Sequence, residues 1–303
     1  MLQPGNGETA ASVLAPLLKA NGFDLAFNML NIGALPIKGA EEPFWHLLDV
    51  FPASSVAGVE IDPRLCAELN RQARERVRYY PAAIGRTEER RALYQTAHPA
   101  CTSLYRPDER YCDLYHDLEM TRLKDVGEIS TLSLDKFVAD NGLGEIDFLK
   151  IDIQGAELDA FTGGPDTMRR MLLVVSEVEF VPMYENQPLF GDVAVRLRTS
   201  GMMFHKFLGM AGRVMKPLTV HGNGQYPVQF MWSDAVFVQD LFSLATLPAG
   251  HLLKLAVLLD IYDSRDAALH VLRCYDIKEG DDLGEIYLSH LTKEGAWTLL
   301  ASG

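Results

Sequence analysis

The stretch EIDFLKIDIQGAELDAFTGG, residues 145–164, decides how this chain is read. An apolar strand pattern runs into Lys150, Asp152, Gln154 and Glu157, Gly155 breaks it, and a helical spacing follows. On a strand, Lys150, Asp152 and Gln154 point to one face and Leu149, Ile151 and Ile153 to the other, because side chains alternate along an extended backbone. Charge at the end of a core strand, followed by a glycine turn and a helix, is the pattern of a parallel α/β sheet whose strand ends carry the chemistry.

Working outward, six more apolar runs fit the same sheet: 23–35, 54–62, 77–85, 172–180, 201–208 and 233–240. Helical spacing appears in EEPFWHLLDVF and again after Pro63, a proline suited to the first turn of a helix. The expected fold is a doubly wound, seven-stranded Rossmann-like α/β sheet. Residues 87–131 lack a clear period and are predicted to be a long loop with short helices. The segment AGHLLKLAVLLDIYDSRDAALHVLRCYDI reads as two helices with a turn near Asp263 to Arg265. The expected divisions are a helical lead-in over 1–22, the sheet domain over 23–244 and a helical appendage over 245–303.

The net charge of -13, from 28 basic and 41 acidic side chains, argues against a nucleic-acid partner, since such a surface repels phosphate backbones. The four cysteines form no CxxC pair and stand near no histidines at zinc spacing, which predicts free thiols in a reducing compartment. The polar start MLQPGNGETA lacks the order of a signal peptide, and the run 252–261 is too short and too charged to span a bilayer. A cytoplasmic protein with no membrane partner is expected, and the helical tail suits a homodimer.

With the opening stretch, three further strand ends carry the site. The first ends LNIGAL, with Asn31 and Gly33 at a turn that a ligand can approach, although no GxGxxG is present and a nicotinamide-dependent oxidoreductase is disfavoured. The second ends GVEID. Glu60 suits a ribose diol, whereas Asp62, immediately before Pro63, suits the N-cap of the next helix. The fifth carries Glu177 and Glu179 in SEVEF. A buried lysine needs a partner, so Lys150 with Glu177 is a plausible structural ion pair, leaving Asp152 and Glu179 nearer the ligand edge.

These segments, with VVSEVEFVPMYENQPLFGDVAVRLRTSGMMFHKF, CTSLY and TLSLDKF, resemble the FkbM family of S-adenosylmethionine-dependent methyltransferases. The likeness spans roughly residues 27–240. Asp147, Lys150, Asp152, Gln154, Gly155, Glu157, Glu177, Glu179, Tyr184, Glu185, Gln187, Pro188 and Phe190 carry it. The family's first strand usually ends on an acidic residue, where this chain has Asn31. The resemblance implies a methyltransferase fold with S-adenosylmethionine against Asn31, Gly33, Ala34, Glu60, Ile61, Ala83, Asp152 and Gln154. It also implies O-methylation of a small-molecule or glycan hydroxyl.

Within that reading Asp152 or His205 takes the acceptor proton and Glu179 orients substrate hydroxyls. Tyr184, with Phe190 and Trp232, offers an aromatic rim, whereas the spacing of Phe204 and Phe207 fits ordinary core packing better. No metal is assigned, although Asp152, Glu157 and Glu179 are weighed as ligands for a magnesium-type ion. A non-catalytic binding protein that keeps the fold is the alternative.

Overall fold

The structure, a computed structural model, describes residues 12–35, 42–293 and 297–298; parts of the expected lead-in and tail lie outside the described residues. In chain order the elements are α1 (Leu14–Ala20), β1 (Asn28–Ile32), α2 (His46–Val50), β2 (Ser55–Glu60), α3 (Pro63–Gln72), β3 (Val77–Pro81), β4 (Ala83–Gly85) and β5 (Glu89–Thr96). Next come α4 (Glu109–Leu114), β6 (Leu123–Ser133), α5 (Leu134–Asp140), β7 (Phe148–Ile151), α6 (Glu157–Thr162), α7 (Pro165–Arg170), β8 (Leu173–Glu179) and α8 (Phe190–Thr199). The last are β9 (Met202–Phe207), β10 (Ala211–Arg213), β11 (Gln229–Gln239), α9 (Ala249–Ile261), α10 (Arg265–Glu279) and α11 (Leu283–Lys293).

The main sheet runs β10-β11-β8-β7-β1-β2-β3, with β9 also pairing β11. β1 with β7, β7 with β8, and β2 with β3 are parallel, and β11 runs antiparallel to β8. The seven expected strands are all present, and the three-residue β10 adds an eighth. The strand order reverses between β1 and β7, and in open α/β sheets ligands bind at such a point.

One face of this sheet is apolar. Leu30, Ile32, Leu149, Ile151, Val174 and Val178 pack with Leu134 and Phe137 of α5, Phe161 of α6, and Val193 and Leu197 of α8. Register places Asn31, Lys150, Glu177 and Asp234 together on the opposite face: Asn31 is opposite Lys150, Lys150 opposite Val175, and Glu177 opposite Asp234. Helix starts follow local sequence. Asp62 accepts from the N–H groups of Arg64 and Leu65 and caps α3, as its place before Pro63 predicts. Ser133 accepts from Lys136 N and caps α5.

The prediction for 87–131 needs correction. β5 and β6 form an antiparallel ribbon, and with β4 they make a second, three-stranded sheet. The expected third strand therefore splits, β3 joining the main sheet and β4 this one. Polar and charged side chains interrupt both strands of the ribbon and much of it is exposed, so no apolar run announced it. The ribbon is tied to α6 by Arg91 Nη1, which donates to Asp159 Oδ2 at 2.9 Å. All four cysteines are free thiols.

Among the described residues, a second compact unit gathers 12–27, 42–55, 239–293 and 297–298. α9 and α10 form where two helices are predicted, turning at Asp263 (φ 52°), and α11 is a third. α9 is buried on nearly every side, which explains an apolar run without an exposed stripe. Within this unit the buried Asp260 Oδ2 accepts from Ser12 Oγ at 2.7 Å and from the N–H groups of Val13 and Leu14 at 2.9 Å, while Oδ1 accepts from the Tyr287 hydroxyl. A carboxylate on α9 thus caps α1. Among the described residues, no helix is long and apolar enough to cross a membrane.

Asp260→Ala strips four donors of one acceptor group. The expected loss is about 3 kcal/mol of unfolding free energy in chemical denaturation, and a loss under about 0.5 kcal/mol contradicts this account.

Candidate active site

The turn after β7 holds two consecutive left-handed residues, Gln154 (φ 55°) and Gly155 (φ 96°). Such a backbone is strained for glutamine, and the surroundings hold it. Ser103 Oγ donates to Gln154 O at 2.7 Å. The Gln154 amide nitrogen donates to Asp152 Oδ1 at 2.8 Å and to Glu177 Oε2 at 2.6 Å. Its amide oxygen lies 3.0 Å from the Tyr184 hydroxyl, which also lies 3.0 Å from Cys101 O. Glycine suits position 155 because a φ of 96° is one that side chains rarely adopt, and a Cβ there would also press on the Gln187 side chain. The turn closes with Glu157 Oε1 accepting from Ile153 N at 2.7 Å.

This network corrects two expectations. Tyr184 is fully buried and spends its hydroxyl on the turn, so it is no substrate-facing ring. Lys150 Nζ donates to Asp234 Oδ1 at 2.6 Å, reaching past β8 to β11 rather than stopping at the expected Glu177. Asp234 was missed because its strand is distant in sequence. Its signal was an acidic residue at the head of an apolar run.

Four acids meet at the ends of β7 and β8. One carboxylate oxygen from each of Asp152, Glu157 and Glu177 lies within 4.8 Å of the others. Burial first, and then the charges of Asp152 and Glu179, push the Glu177 carboxyl well above its ordinary range. Glu179 is pushed well up by burial, then by Glu157 and Asp152. Glu157 is pushed up to about 8, chiefly by burial, against the lowering effect of the backbone N–H groups it accepts from. Glu157, Glu177 and Glu179 influence one another's protonation and retain protons at neutral pH.

The remaining predicted residues divide by place. Gly33 (φ 80°) ends β1, and a Cβ on it would sit 1.8 Å from Asp152 O, so the glycine lets β1 close on β7. The N–H groups of Gly33 and Ala34 donate to Val59 O at 2.9 and 3.0 Å. Glu60 ends β2, and its Oε1 accepts from Asp62 N at 3.2 Å; burial raises its carboxyl. Ile61 follows directly, and Ala83 is buried on β4. Asn31 is opposite Lys150 on the polar face. His205 lies half-buried on β9, separated from β7 by β8 and β11. At about 4.8 Å per strand, roughly 14 Å separates its strand from that of Asp152, so the structure does not bring it to the acids. The aromatic rings form a cluster of their own: Phe190 packs on Phe180, Phe204, Phe207 and Phe237. Trp232 instead takes the Arg213 guanidinium over its ring.

The residues present suit S-adenosylmethionine. Acidic groups at the ends of β2, β7 and β8 match a ligand that carries an ammonium, a sulfonium and a ribose diol, and the buried Glu179 carboxylate is held by a side-chain hydrogen bond from Gln187.

A carboxyl that keeps its proton in the fold but not in the unfolded chain adds stability that is complete below the unfolded value and is lost as pH rises through the folded one. For Glu157 the window runs from 4.5 to about 8. In chelator, unfolding free energy should fall by on the order of a few kcal/mol from about pH 5 to about pH 8. Glu157→Gln should fall less, and parallel slopes for the two proteins would contradict the assignment.

A 59-residue segment is 34% identical to the 2-O-methyltransferase NoeI of Sinorhizobium fredii, covering 20% of this chain and 24% of that protein. Among solved structures, magnesium protoporphyrin IX methyltransferase of Synechocystis PCC 6803, with bound SAM, is 10% identical over 75% of this chain and 76% of its own, with a TM-score of 0.34. The N-terminal domain of EvdMO1, with SAH bound, is 10% identical over 74% and 77%, with a TM-score of 0.33. Likenesses this distant say nothing of the site. The methyltransferase FkbM domain, however, matches residues 31–202, more than half of the chain. The chain belongs to the FkbM methyltransferase family, whose methyl donor is S-adenosylmethionine.

Proposed function

We propose that this methyltransferase acts on a hydroxyl oxygen of a small-molecule or glycan acceptor. The observation that carries the reading is the placement of Asp152. It stands at the end of β7, beside the β1 turn, with Oδ1 fixed by the Gln154 amide. The name of the NoeI relative supports an oxygen acceptor.

When bound, the donor supplies a methyl carbon on a sulfonium, already a good leaving group. The chain's own part is position and proton handling. Glu60 would accept from the ribose hydroxyls, and Asn31 with the 33–34 turn would hold the methionine portion. Asp152 would receive the proton that the acceptor hydroxyl gives up on methyl transfer. Glu179 orients neighbouring hydroxyls. Holding the acceptor in line is the larger contribution, because the leaving group needs no further activation.

Calorimetric titration with S-adenosylhomocysteine should give one saturable site per chain. Asp152→Asn preserves shape and hydrogen bonding but removes the base. Turnover at saturating donor, with a panel of sugar and polyol acceptors, should fall about 10²- to 10⁴-fold. Retained turnover removes Asp152 from the mechanism. No binding by a protein shown to be folded would favour a non-catalytic binding protein.

A further inference from the structure

We propose that Arg213, lying over Trp232, anchors an oxyanion carried by the methyl acceptor, a phosphate or a carboxylate. The assignment rests on the functional reading above and adds to it a charge class for the acceptor.

Register sets the place. β8 ends on Glu179, and Trp232 of β11 lies directly opposite it, two residues before Asp234, which lies opposite Glu177. Cross-strand partners share a face, so Trp232 stands on the polar face of the sheet, at the edge where β8 ends. β10 lies beside β11 at that edge, with Ala211 opposite Trp232 and Arg213 opposite Gln229. The register shifts between Ala211 and Gly212, and an irregularity of this kind re-aims the side chains next to it. A Cβ on Gly212 would sit 2.1 Å from Gln229 O, so the glycine lets the two strands close there. The guanidinium carbon of Arg213 lies 4.8 Å from the centroid of the Trp232 ring, which brings the charge back over β11. Two strand spacings, about 10 Å, separate β11 from β7. A group held by Arg213 therefore stands off from Asp152 by a distance that one sugar ring with its substituents spans.

The state of the guanidinium points to a ligand. Arg213 is only 8% exposed. Among the described residues its five N–H donors make one hydrogen bond, from Nη1 to Gly212 O at 2.8 Å. Nε is buried with no partner. Asp117, the carboxylate whose charge acts on it, is exposed and forms no ion pair with it. A buried cation without a counter-ion is costly, and a phosphate or carboxylate supplies the missing acceptors in the geometry of the guanidinium fork. Lys150, on the same face, is already paired with Asp234 at 2.6 Å. The Trp232 ring restrains the fork before a ligand arrives, which lowers the ordering entropy lost on binding.

The test uses the full chain in excess S-adenosylhomocysteine, titrated calorimetrically with three forms of one ring: methyl glucoside, glucose 1-phosphate and glucuronate. A charged form should bind about tenfold or more tightly than the neutral one. Tighter binding of glucose 1-phosphate assigns a phosphate, and tighter binding of glucuronate a carboxylate. Arg213→Gln should bring the three forms within about twofold of one another. Arg213→Lys keeps the charge without the fork and should retain only part of the preference. Arg169→Gln, on the exposed side of α7, should leave the preference unchanged. Because a variant at a buried position can misfold, wild-type thermal melts are run with each sugar. The midpoint should rise more with a charged form than with the neutral one.

Equal binding of the three forms by folded wild type, or binding of none, overturns the proposal. So does a preference for the charged form that survives in folded Arg213→Gln, which marks a structural arginine. S-adenosylhomocysteine titrated alone separates the two ideas. Nucleoside binding without a charge preference sinks the oxyanion site alone. A preference that Arg213→Gln abolishes, in a chain that binds no nucleoside, supports the oxyanion site and counts against the functional reading.

Discussion

The side chain of Gln154 is held at both ends of its amide, and its backbone oxygen is held as well. That restraint keeps two successive residues in left-handed conformation at the end of β7. Without it, Asp152 and Glu157 would sit on a turn free to relax, and the carboxyl groups of β7 and β8 would separate under their own repulsion. The partners come from distant parts of the chain: Ser103 and Cys101 from the connection between β5 and β6, Glu177 from β8, and Tyr184 from the loop after it. The glutamine therefore joins these loops to the sheet.

Seen from this turn, the ribbon β5–β6 has a mechanical purpose. The Asp159 carboxylate on α6 accepts from Arg91 and from the Tyr105 hydroxyl, binding the ribbon and its following loop to the helix that leaves the turn. Ser103, which pairs with Tyr94 through the backbone, then arrives at Gln154 O. A chain of ordinary hydrogen bonds, each contributing about 1 kcal/mol, sets the position of the acids. Four acidic groups in one small volume are unfavourable for the fold by themselves, and functional sites are where such strain concentrates.

Sequence and structure agree best where local rules dominate. Asp62 before Pro63 is an N-cap in both, and the helical spacing of 249–277 produces two helices. They part where partners are remote. Lys150 was expected to pair on the next strand, yet its long side chain reaches Asp234 two strands away. Tyr184 sits in a polar, proline-flanked segment that reads as an exposed loop, but the turn pulls it fully inside. The Gly33 signal was read as room for a ligand, and the structure uses it to let the carbonyl of Asp152 approach.

The sequence by itself determined the α/β class, the order of apolar strands, the family and the acidic strand ends, because alternation, capping and turn chemistry are local and need no partner. Tertiary structure alone decided that Asp152, Glu157, Glu177 and Glu179 converge while His205 stays on another strand. Strand order and register set those distances. Both depend on which strands hydrogen-bond to one another across gaps of tens of residues, which no spacing within a single segment records.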